Sequence, residues 1–104
     1  MNIERRKRLE NDGWRIGSAE EFLGLKPDEI AIVQMRLSLS QKLRARRIRI
    51  GLSQAILANR LGSSQSRVAK MEAGEPNVSL ELLVRAMLLT GAKPREVGRA
   101  FAIA

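Results

Sequence analysis

The chain has 104 residues, with 19 Lys and Arg against 11 Asp and Glu, a formal charge of +8, and 44% hydrophobic residues including one Trp, two Phe and no Tyr. That size suits a single domain of modest core, which must be built from Leu, Ile, Val, Met and Ala. Cys and His are both absent, which removes disulfides, thiol nucleophiles, cysteine metal sites and the commonest general base, so no metal, cofactor or catalytic residue is expected.

The N-terminal residues, "MNIERRKRLE", are basic, but no apolar stretch follows them, so they do not read as a secretory signal. No run approaches the roughly 20 apolar residues that span a bilayer, and a cytoplasmic chain with no membrane partner is expected. The basic run Arg5–Lys7 reads as a solvated, frayed end. In "SAEEFLGL", Ser18 and Glu21 stand at capping-box spacing, which predicts a short helix over about 19–23 ended by Gly24. Residues 1–26 therefore read as a partly helical arm, and residues 27–104 as the main domain.

A longer helix begins at "KPDEI". Pro27 suits a first helical turn, and Asp28 and Glu29 favour the positive end of the macrodipole. No Gly or Pro intervenes before Gly51, and Ile32, Met35, Leu39, Leu43 and Ile50 recur at helical spacing. Arg44, Arg46, Arg47 and Arg49 crowd its last turns, where cations are favoured. Ser53 then caps a short helix, "QAILANRL", stopped by Gly62. Ser64 caps another, "QSRVAKMEA", stopped by Gly74. Ser79 caps a fourth, "LELLVRAMLLT", ending at Gly91, and Pro94 opens a fifth, "PREVGRAFA". No segment alternates with period two, so the fold class is all-α with five helices after the arm.

Charge is distributed unevenly along these elements. Residues 1–33 hold six basic and seven acidic side chains, net −1; residues 34–76 hold nine and two, net +7; residues 77–104 hold four and two, net +2. Such a concentration is the footprint of a polyanion partner. The central stretch has no aromatic residue to anchor it in a bilayer interface, which favours nucleic acid over membrane.

Residues 53–73 sit inside that basic stretch and read as a helix-turn-helix. Leu57, Ala58 and Leu61 share one face of the first short helix, and Val68 and Met71 one face of the second. Ala58 is small enough for a close helix crossing, Gly62 supplies the positive φ of a tight turn, and Val68 plugs the angle. Gln65, Ser66, Arg67 and Lys70 then face outward. Gln pairs bidentately with adenine and Arg or Lys with guanine in the major groove, so these four are the candidate base-reading residues. Gln54 and Ser64, at two helix N-termini, are candidate phosphate contacts. A Ser/Lys pair such as Ser66–Lys70 is better explained by these contacts than by enzyme chemistry.

The segment "LSQAILANRLGSSQSRVAKMEAG" resembles the helix-turn-helix of the Xre/Cro/phage-repressor family. The resemblance extends over roughly residues 43–90 and implies a five-helix, lambda-repressor-like DNA-binding domain, here with an N-terminal helical extension. It implies phosphate contact by Gln54 and base contact by Gln65, Ser66 and Lys70. Two positions depart from the family pattern: Ile56, where Glu is frequent, and Ala73, where a polar phosphate contact is common. Glu72 lies at the C-terminal end of its helix, the unfavourable end for an acid. Family geometry places Arg47 opposite, which implies a partly buried Arg47–Glu72 pair locking the motif to the preceding helix.

Two-fold dimers reading half-sites about one turn apart are the usual solution for a single such motif, so a homodimer on a palindromic double-stranded operator is expected. The strongly apolar fourth helix (Leu80, Leu82, Leu83, Val84, Met87, Leu88, Leu89), the apolar end with Phe101 and Ile103, and the arm are candidate dimer surfaces; closing a small core is the other reading of the two helices. "DGWRIGSAEEFLGLKPDEIAIVQMRLSLSQKLRARR" is similar to small HigA-like antitoxins, which implies a repressor of its own toxin–antitoxin operon. Its alternative implication is a chain acting mainly by masking a RelE-like toxin; Trp14, Phe22 and Leu23 are then apolar anchors for a partner or for the second subunit, packing on their own domain being the other reading.

Overall fold

The computed structural model describes residues 24–102. The expected helix over 19–23, the Trp14, Phe22 and Leu23 anchors, the Arg5–Lys7 run and Ile103 all lie outside the described residues. Within them the fold is all-α: α1 (Pro27–Arg49), α2 (Gln54–Leu61), α3 (Gln65–Glu72), α4 (Leu80–Leu89) and α5 (Pro94–Ala100). The chain falls into two compact units, 1–34 and 35–104, with the division inside α1. In the first, Ile30 is buried, whereas Ile32 and Val33 are exposed.

Local sequence sets each boundary. The hydroxyls of Ser53, Ser64 and Ser79 accept the backbone N–H three residues on, from Ile56, Arg67 and Leu82. At α5 the roles are exchanged: the Glu96 carboxylate accepts the Lys93 backbone N–H at 2.9 Å. The C-terminal ends of α1 to α4 share one device. At Gly62 the Ser63 N–H reaches the Ala58 carbonyl at 2.9 Å and the Gly62 N–H the Asn59 carbonyl at 3.1 Å, the Schellman pattern, which needs a left-handed residue. Gly62 supplies it with φ of 67° and ψ of 37°. The same bonds recur at Gly51, Gly74 and Gly91. At Gly74 (φ 77°) the lack of a side chain has a second use: a Cβ there would lie 2.6 Å from Leu37 Cδ2 of α1.

The core of the second unit is aliphatic. Leu39 and Leu43 of α1, Leu57 and Ala58 of α2, Val68 and Met71 of α3, Leu83, Ala86 and Met87 of α4, and Val97 and Ala100 of α5 are buried together. Burying such side chains, at about 1.5–3 kcal/mol each, is the main term holding five short helices together. One expectation needs correction here. Ile32 and Ile50 do not belong to the buried stripe of α1; they are 49% and 42% exposed. The stripe ends at Leu43, because one turn on from it stand Arg46 and Arg47, and α1 stops before Ile50. The apolar surplus of α4 is largely taken up by the core, with Leu80, Leu82, Val84 and Leu89 packed against it, as is Phe101. Leu88 alone of the apolar α4 residues is exposed.

The helices end slightly earlier than the spacing predicts. α3 stops at Glu72, α4 at Leu89 and α5 at Ala100, with Ala73, Thr90 and Phe101 as the flanking residues. α3 and α4 each stop two residues before their glycine, within the usual latitude of helix ends.

Candidate nucleic-acid interface

α3 has two faces of opposite character. Val68 and Met71 are fully buried, so the helix is fixed on the core by its middle turns. Gln65, Ser66, Arg67 and Lys70 are all exposed on the other side. Eight residues make a helix about 12 Å long, short enough to lie within a major groove about 12 Å wide. The Ser64 hydroxyl caps α3 by accepting the Arg67 N–H at 3.2 Å and lies 3.2 Å from the Ser66 hydroxyl. Helix geometry leaves the first backbone N–H groups of α3 and of α2 without intrahelical acceptors, aimed outward.

Behind this face lies a buried polar knot. Arg47 reaches from α1 to Glu72 with Nε 2.5 Å from Oε2 and Nη2 2.9 Å from Oε1. Its Nη1 donates to the Leu52 carbonyl at 2.8 Å, in the turn before α2. The side chains are only 11% and 3% exposed. The hydrogen bonds to Glu72 raise the Arg47 pKa, burial opposing and the Glu72 charge assisting. A bidentate fork of this kind is geometrically specific. It ties α1, the following turn and α3 into one piece and sets the pose of α3.

Gln54 joins the same knot. Its Nε2 donates to Glu72 Oε1 at 3.1 Å, and the side chain is half-buried. The sequence places Gln54 at a helix N-terminus, ready for phosphate; it gave no sign of the Glu72 bond. Ala58 is buried beneath α3, and α2 meets α3 more extensively than any other helix pair.

The central charge is divided between structure and solvent. Arg36 donates to the Pro76 carbonyl, Lys42 to the Ala102 carbonyl, Arg60 to the Leu89 carbonyl, and Arg47 to Glu72. Arg46 Nε donates to the Thr90 hydroxyl at 2.8 Å, and its Nη1 lies 3.3 Å from Glu96 Oε2. Thr90 in turn donates to the Met87 carbonyl. Ser38 lies within hydrogen-bond reach of the Ala100 and Ala102 carbonyls. Apart from the Arg47–Glu72 pair, which the family resemblance implied, none of these bonds was anticipated from the sequence. The available signal was position: Arg46 and Arg47 follow Leu43 by three and four residues, on the inward side of α1. Arg44, Arg49, Arg67 and Lys70 are exposed without such a bond, and Lys42 and Arg60, bonded only to neutral carbonyls, are exposed as well.

Among the described residues no helix is long and apolar enough to cross a membrane. Searches of curated proteins and of solved structures returned no match. A family model, described as a helix-turn-helix domain, matches residues 38–100, the span that holds the motif, the buried knot and the core. With a match over more than half of its length, the chain belongs to the helix-turn-helix domain family, a family of DNA-binding domains.

Proposed function

We propose that the chain is a sequence-specific, double-stranded DNA-binding repressor of the Xre/Cro type that acts as a homodimer on a palindromic operator. The observation that carries this reading is the face of α3: Gln65, Ser66, Arg67 and Lys70 are exposed together on a helix whose opposite side is fully buried. The first three are at the N-terminal end of the helix, where base contacts are made in this docking mode, and Lys70 is one turn on. Arg67 and Lys70 suit guanine and Gln65 suits adenine. Ser64 and Gln54 stand at helix N-termini, where backbone N–H groups and side-chain donors favour phosphate. Dimerisation is inferred from reach: one eight-residue helix spans too few base pairs for high affinity alone, and two half-sites remedy that. Residues 27–104 form the binding domain, with 1–26 an added arm.

Sequence selection from random duplexes tests the reading directly. A palindromic motif with half-sites about one helical turn apart is the expected result. Enrichment of no sequence, or a binding constant that barely changes with salt, removes it.

A finer reading makes the chain a HigA-like antitoxin that represses its own operon and also masks a RelE-like toxin. What favours a protein partner is the start of α1. It precedes the matched residues 38–100 and carries the exposed pair Ile32 and Val33. Such residues on a helix surface suit an apolar partner. Co-purification with a small ribonuclease expressed from an adjacent reading frame is the expected result. The same copurification from a chain bearing Ile32→Glu and Val33→Glu would count against this surface.

A further inference from the structure

We infer that the open recess between α1, α4 and α5 is a binding site for a small organic carboxylate, one with an apolar body and a single acid group. The recess holds about 280 Å³ and is lined by Lys42 and Arg46 of α1, Met87 of α4, and Glu96, Arg99 and Ala100 of α5. None of these residues belongs to the α3 face, so the inference stands apart from the DNA-binding reading. The lining is unbalanced in charge. Three cations share it with one carboxylate, a local excess of two positive charges. The carboxylate is already engaged: Glu96 Oε1 accepts the Lys93 backbone N–H at 2.9 Å, and Oε2 lies 3.3 Å from Arg46 Nη1. Arg46 is fixed in turn on the Thr90 hydroxyl. That leaves Lys42, which donates only to the neutral Ala102 carbonyl, and Arg99, whose side chain makes no hydrogen bond among the described residues. Both are exposed. Two such cations beside one recess suit one acid group, and the planar fork of an arginine matches a carboxylate bidentately.

The floor selects against a bare inorganic ion. Met87 and Ala100 are apolar and nearly fully buried, and the methylene stems of Lys42 and Arg99 extend the apolar wall. An apolar floor with a few placed polar groups is the usual make-up of a small-ligand site, here at the lower end of the size range. For scale, a cavity of about 150 Å³ takes up benzene, so the recess has room for one ring or a short chain with its acid group.

The experiment is a titration of the full chain, labelled at its methionine methyl groups, with benzoate as the probe, followed by NMR at neutral pH and fixed ionic strength. Benzoate is expected to shift the Met87 methyl signal saturably, with a millimolar dissociation constant, and to leave the methyl of Met71, buried under α3, in place. Benzamide has the same shape without the charge, and inorganic phosphate has the charge without the ring. Each is expected to bind at least tenfold more weakly than benzoate. Arg99→Gln changes an exposed residue, and an unmoved Met71 signal checks its fold. It is expected to weaken benzoate about tenfold, the scale of one hydrogen bond to a charged group. The absence of a saturable Met87 shift up to tens of millimolar benzoate overturns the proposal. Benzamide binding as tightly as benzoate overturns it too, by reducing the recess to an apolar patch. So does phosphate binding as tightly, which reduces it to a cluster of cations, and so does undiminished benzoate binding by Arg99→Gln.

Discussion

On one side of α3, Glu72 is buried against Arg47 and Gln54; on the other, Arg67 and Lys70 stand in solvent with no side-chain partner among the described residues. Both sides are polar, and both carry charge. Their energetics differ because of solvent. A charge in water loses little when its partner is removed, whereas a charge already stripped of water depends on its partner for compensation. The back of α3 should therefore carry stability and the front should carry recognition, with little overlap.

The largest effect tests the back. Arg47→Ala or Glu72→Ala alone should cost about 3–5 kcal/mol, because each strands its buried partner. Chemical denaturation measures this. Arg47→Met combined with Glu72→Leu should cost much less than the sum of the single changes. A near-zero coupling energy between the two positions would erase the difference between the faces.

The front is tested by Arg67→Ala and Lys70→Ala. Neither should move the denaturation midpoint by more than about 0.5 kcal/mol, as befits exposed residues. If they read bases, each should cost about 1–3 kcal/mol in affinity for the selected operator and relax preference at one position. A uniform loss on every sequence would make them phosphate contacts.

The two glycines that bracket α3 sharpen the comparison, since both have positive φ and only one is crowded. Gly62→Ala should cost about 1 kcal/mol, for backbone strain alone. Gly74→Ala should cost about 2 kcal/mol, because its Cβ also meets Leu37. Equal losses in thermal denaturation would show that Leu37 swings aside freely.

Much of this was legible in the sequence because it is local. Ser before an apolar-periodic run and Gly after it are cap signals, and they placed α2 to the residue and the other helices to within one or two. The inward pair Val68 and Met71 followed from spacing, as did the exposure of Gln65, Ser66, Arg67 and Lys70. What spacing could not supply was the destination of polar side chains across long separations. By spacing Arg46 and Arg47 read as a helix-end charge cluster; the family resemblance paired Arg47 with Glu72, 25 residues on, but nothing pointed to the Arg46 acceptors Thr90 and Glu96, 44 and 50 residues away. Of the +7 of the central stretch, the charge of Arg46 is directed inward to Glu96, on another element. The apolar excess of α4 left two readings open, an interface or the closing of a small core, and most of it packs on the core.

Arg46 provides the smallest test and a second, less deeply buried counterpart to the Arg47 knot. The Lys93 backbone N–H first, and then the Arg46 charge, hold the Glu96 carboxyl below its ordinary pKa, against the opposing effect of burial. A carboxyl whose pKa is lowered on folding stabilises the fold fully above its unfolded value of about 4.3 and loses that contribution as pH falls through the lower folded value. Wild type should therefore be more stable than Glu96→Gln at neutral pH, and the gap should shrink once pH drops below about 4.3. Because the Glu96 side chain is 36% exposed, solvent screens the pair and the gap should be well below that of the Arg47–Glu72 knot. Other carboxyls titrate in both proteins and cancel in the difference between urea midpoints. A gap that stays constant from pH 7 to pH 2 would mean that Glu96 acts through its shape as a cap acceptor, which glutamine preserves in part, and not through its charge.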